Sequence, residues 1–68
     1  MVGFRFFRKS TDSGTVTFFR FSGAHGADSW TGGRWVTADD LIERLFTDPD
    51  FDEVGDGDLP TDAQAALA

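Results

Sequence analysis

Cysteine is missing from this 68-residue chain, and histidine occurs once, at His25. The first absence excludes disulfides and thiolate metal sites. The second puts a closed zinc site of the usual Cys and His ligands out of reach. Long apolar runs are missing as well. A signal peptide needs about 7–15 apolar residues and a membrane helix about 20, so a cytoplasmic location without membrane contact is expected. No Walker loop, dinucleotide fingerprint or metalloprotease helix occurs, and Gly23, Gly26, Gly32 and Gly33 are spaced for none of them. Nothing calls for a cofactor or a small-molecule substrate, and the chain reads as non-catalytic.

What is abundant is phenylalanine: eight Phe and two Trp in a chain long enough for one domain. A domain this small buries only about 60% of the surface its unfolded form exposes. Each aromatic can bury roughly 150–250 Å². A dense aromatic core, self-association or a partner must therefore supply the stability that disulfides and metals cannot.

Charge is divided along the chain. Residues 1–37 carry Arg5, Arg8, Lys9, Arg20 and Arg34 against Asp12 and Asp28, whereas residues 38–68 carry ten acids against Arg44 alone. The net charge of −6 hides this division. It points to internal neutralisation, head-to-tail association, or a tail that repels nucleic acid from a basic face.

Phe, Val and Thr mark two strands, Val2–Ser10 and Thr15–Ser22. A four-residue loop, Thr11–Gly14, would pair Phe7 with Phe18, Phe6 with Phe19, and Arg5 with Arg20. One face then carries Phe4, Phe6, Phe19 and Phe21, and the other Arg5, Phe7, Lys9, Val16, Phe18 and Arg20. A three-residue loop, Asp12–Gly14, would mix Phe with Arg on both faces. The register with the cleaner apolar face is expected. Ser22–Gly33 reads as a loop, Arg34–Val36 as a short third strand. Thr37 is placed to cap a helix ending near Thr47, ahead of Pro49, with Leu41, Ile42, Leu45 and Phe46 as its apolar stripe. Phe51 and Val54 can fold back onto that core.

The expected fold class is α+β: a small antiparallel β-hairpin, extended at most by that short third strand, packed against one α-helix. Residues 1–54 form the compact ββ(β)α domain. Residues 55–68 form an acidic, flexible tail, partly disordered or short-helical from Thr61.

The candidate partner-binding residues are Arg5, Phe7, Lys9, Phe18 and Arg20, with Trp30 as an aromatic anchor in the loop. On this reading the chain self-associates or docks on a protein through a basic and aromatic strand face, since Phe and Arg are both enriched in interface cores. The same face could stack single-stranded nucleic acid. The acid-rich second half opposes phosphate and makes protein the favoured partner. A third reading is an acidic mimic of nucleic acid that inhibits a basic target through the Asp-rich segment. Its acidic surface comprises Asp48, Asp50, Asp52, Asp56 and Asp58. These superficially suggest a calcium loop, but both frames fail at the bidentate final ligand: Leu59 from Asp48, Ala63 from Asp52. His25, with Asp28 and Ser29 nearby, is the one place a proton-transfer pair could form, and it lacks a held nucleophile.

Overall fold

The computed structural model describes residues 3–66. The expected strand start at Val2 and the last residues of the tail, Leu67 and Ala68, lie outside the described residues. The strands are β1 (Arg5–Ser10), β2 (Val16–Ser22), β3 (Gly26–Thr31), β4 (Arg34–Thr37) and β5 (Phe51–Val54). A 3-10 turn at Asp39–Leu41 leads into α1 (Ile42–Thr47), and a second, at Asp56–Asp58, precedes the short α2 (Thr61–Ala65). The strands form one antiparallel sheet in the order β4-β3-β2-β1-β5. The protein is mostly sheet, which corrects the expected hairpin packed on a helix.

The first turn explains the correction of register. Gly14 N–H donates to Thr11 O and Thr11 N–H to Thr15 O, both at 2.9 Å, and Gly14 has φ +86°. This is a three-residue hairpin loop whose last residue takes the left-handed conformation that glycine tolerates. It pairs Phe7 with Phe19, Phe6 with Arg20 and Arg5 with Phe21. The expected pairs Phe7–Phe18 and Arg5–Arg20 do not form. A clean apolar face decides register only where one side of the sheet faces water, and here both sides are covered.

Ser22–Gly33 is likewise no loop. Its glycines sit at turns: Gly26 has φ +95°, and Gly32 and Gly33 have φ +61° and +79°, as a two-residue type I′ turn requires. A Cβ on Gly26 would collide with Oδ1 of Asp39, which accepts a hydrogen bond from the Ala27 amide at 2.9 Å. Between these turns lies β3. Thr37 closes β4 rather than capping a helix, and no side chain caps α1. The helix ends at Thr47 as Asp48 turns extended ahead of Pro49.

Each face of the sheet has its own core. On one, Phe7, Phe19, Ala27 and Phe51 pack beneath Leu45 of α1, with Phe21, Leu41 and Ile42 at the margin. On the other, Phe6 packs with Leu59 and Ala63, flanked by Phe4, Phe18, Trp30, Trp35 and Val54. The expected core face of Phe4, Phe6, Phe19 and Phe21 is thus split between the two. Residues 56–66 are part of the fold rather than a flexible tail: Leu59 is 4% exposed and Ala63 is 0% exposed. Leu59→Ala should therefore lower the unfolding free energy by about 2–3 kcal/mol, read from the urea midpoint at constant m-value. An unpacked tail would leave the midpoint unchanged. Among the described residues no helix is long and apolar enough to cross a membrane.

Candidate functional site

The expected docking residues do not share a surface. Arg5, Phe7 and Lys9 point to the α1 side of the sheet; Phe18, Arg20 and Trp30 point to the other, because paired residues keep one face and neighbours along a strand alternate. Phe7 lies under the helix, with its ring edge-on to Phe46 at 5.6 Å. Phe18 is half-buried, and Trp30 stands edge-on to Trp35 at 5.1 Å within the second core.

Four cations, Arg5, Arg8, Lys9 and Arg20, face acids from the second half of the chain and from β3. Arg5 donates from Nε and Nη2 to the two oxygens of Glu53 at 2.9 and 2.8 Å. This fork holds the Glu53 carboxyl below its usual range and raises the Arg5 guanidinium. Arg8 Nη2 lies 4.0 Å from Asp52, and Lys9 Nζ 3.9 Å from Asp48. Pairing β5 beside β1 sets Glu53 and Asp52 near Arg5 and Arg8, and Asp48, just ahead of β5, reaches Lys9.

Arg20 is the most enclosed of them. Its Nε donates to Asp28 Oδ2 at 2.8 Å, and His25 Nε2 donates to the same oxygen at 2.7 Å. The guanidinium lies over Phe4 and Trp35, at 4.6 and 4.7 Å from their ring centres. Burial pushes the Asp28 carboxyl up, but the hydrogen bonds from Arg20 and His25 outweigh it, and the net shift is downward. His25 is thus tied to a carboxylate at the β2–β3 turn, while its main-chain amide donates to Ser22 Oγ at 3.0 Å. This cluster braces the turn against the sheet.

Of the acidic residues, Asp48 is half-buried and Asp50, Asp52, Asp56 and Asp58 are exposed. Asp48 accepts the Asp50 amide at 2.9 Å, and Asp58 accepts the Gly55 amide at 3.1 Å. These contacts shape turns. Among the described residues no group of three or more His, Asp or Glu is gathered as metal ligands.

With both faces covered, the sheet edges are where main-chain groups remain unpaired. The two edges differ. β5 carries Asp52 and Glu53, charged side chains of the kind that blunt an edge strand. β4 carries Arg34, Trp35, Val36 and Thr37, with no acid or proline, and among the described residues pairs with β3 alone. The phase of its hydrogen bonds follows from the turn. Gly32-Gly33 makes Thr31–Arg34 the closing pair, and Ala38 N–H donates to Ala27 O at 2.8 Å. Arg34, Val36 and Ala38 thus direct their main-chain groups inward, and Trp35 and Thr37 direct theirs outward. Val36 is 37% exposed. No protein-family model, curated protein or solved structure matches the chain.

Sequence reasoning located Arg34–Val36 as a strand but not as a site. The Gly-Gly pair between Thr31 and Arg34 is a hairpin signal that would have added β3, and with β3 in place β4 becomes the outer strand.

Proposed function

We propose that the chain is a cytoplasmic, non-catalytic protein-interaction module that takes up its partner as an added strand along β4. The observation that carries this reading is the contrast between the edges: β5 carries the acids Asp52 and Glu53, and β4 carries no acid and an exposed Val36. Soluble proteins blunt long exposed edges, and strand addition on an open one supplies affinity through main-chain hydrogen bonds. This keeps the interaction role expected from composition but moves it from the strand face to the strand edge. The nucleic-acid reading loses support, because Arg5, Arg8, Lys9 and Arg20 each face a carboxylate. The acidic-mimic reading has one observation in its favour: once those pairs form, Asp40, Glu43, Asp50 and Asp56 remain exposed without a cation within ion-pair distance among the described residues.

Site-specific photo-crosslinking in the expressing cell separates these readings. A benzophenone side chain replaces Arg34 in one variant and Asp50 in another, and adducts are identified by mass spectrometry. Protein adducts from position 34 and none from position 50 are expected. Adducts from position 50 alone overturn the edge reading in favour of the acidic one, and no adduct from either position rejects both.

A further inference from the structure

We infer that the strand added to β4 is β4 of a second copy of this chain, so that two five-stranded sheets join into one across a two-fold axis at Val36. The inference rests on the edge reading above and names its partner. An antiparallel pair related by a two-fold axis perpendicular to the sheet must match residues on the same face, so one residue meets its own copy on the axis. Outward main-chain groups at Trp35 and Thr37 allow three centres, Trp35, Val36 or Thr37. Centring on Thr37 would require Asp39 to continue the ladder, and Asp39 begins the 3-10 turn. Centring on Trp35 would require Gly33 to continue the ladder, and its φ of +79° holds it in the turn. Centring on Val36 uses strand residues alone. Trp35 then exchanges both hydrogen bonds with Thr37 of the second copy, and the reverse pair repeats this.

That register also puts the right side chains together. The two Val36 side chains meet at a non-hydrogen-bonded position, where Cα atoms approach to about 4.5 Å. An exposed Val36 on each monomer becomes an apolar contact between them. Arg34 falls opposite Ala38 of the second copy, beside the acidic pair Asp39-Asp40 that follows it. Among the described residues Arg34 has no ion-pair partner within its own chain. Charge selects this edge on a larger scale as well. Two copies of net charge −6 repel, and between Ser29 and Ala38 the only charged residue is Arg34. Contact along β4 therefore keeps the acid-rich segments apart, whereas contact along β5 would bring them together. The occupant is a second copy because the edge is self-complementary in hydrogen-bond phase, apolar contact and charge together.

A single four-residue strand pair makes a small interface, so the dimer is weak and needs study from about 10 µM to 1 mM. Sedimentation equilibrium of the full chain should show a reversible monomer–dimer system over that range. Amide exchange by NMR should slow with concentration at Trp35 and Thr37 and stay constant at Val36, whose amide already bonds inward. Val36→Lys should leave the chain monomeric at 1 mM with an unchanged far-UV spectrum. Arg34→Glu should weaken the dimer about tenfold, and adding Asp40→Lys in the same chain should restore it. A chain that is monomeric at 1 mM overturns the inference, as does a dimer indifferent to Val36→Lys. A monomer that still yields adducts from position 34 to a different protein sinks the self-pairing and leaves the edge reading standing. A monomer without such adducts removes both.

Discussion

Phe7→Ala is expected to remove most of the folding stability of this chain, about 3–5 kcal/mol. Folded proteins retain roughly 0.05–0.15 kcal/mol per residue, so a domain of this length has little more than that to lose. Phe7 is 3% exposed, sits with Phe19, Phe51 and Leu45 in the core beneath α1, and meets Phe46 edge-on. The chain has no Cys to hold the cavity closed. Phe18→Ala should cost about half as much, because Phe18 is only half-buried and lies at the margin of the opposite core. Urea titration of both variants, followed by tryptophan fluorescence, supplies the comparison. The contrast reports on register. If Phe7 lay opposite Phe18 on one exposed face, the two substitutions would have similar and small effects.

Arg20→Ala is the second large effect, at about 3–5 kcal/mol, because it takes the guanidinium from the buried Asp28 carboxylate and leaves it the hydrogen bond to His25. Loss of the guanidinium from between Phe4 and Trp35 adds to the cost. The same cluster fixes a pH dependence. Asp28 has a folded-state pKa below its unfolded value. Its contribution to stability is therefore complete above the ordinary Asp value of about 3.9 and is lost as pH falls through the lower folded value. Stability should fall on acidification in that window, and the Asp28 carboxyl should titrate below the ordinary range by NMR. With Arg20 removed, the opposing push of burial remains, so the Asp28 titration should move upward. An Asp28 that titrates at the ordinary value in the parent protein, with stability flat below pH 4, would rule out this account. By contrast, the exposed Arg5–Glu53 fork should contribute little, since both side chains are about half in water.

Much of the secondary structure was readable residue by residue. Phe, Val and Thr runs mark β1 and β2, Arg34–Val36 marks β4, and the Leu41, Ile42, Leu45 and Phe46 stripe marks the helical segment that Pro49 ends. Glycine content alone hides β3 in Ser22–Gly33, because the positive φ values of Gly26, Gly32 and Gly33 confine these three to its two ends. The faces were a harder problem. Alternation shows which residues of one strand go together, but a slip of one residue exchanges the face of every side chain on its neighbour. Gly14 at the end of a three-residue turn decided the slip, and it set Phe7 and Phe18 on opposite sides.

For the candidate site, the sequence by itself determined that cations and acids sit in separate blocks of the chain, with internal neutralisation one of three outcomes that follow from such a division. It also determined that no disulfide staples the fold, so that an aromatic core, self-association or a partner had to supply the stability. Only the tertiary structure decided that β5 pairs beside β1 with Glu53 and Asp52 near Arg5 and Arg8, and that Leu59 and Ala63 cover the second face. It alone decided that β4 ends the sheet. Being an edge is a property of what does not pair with a strand, and no local pattern within four residues encodes it.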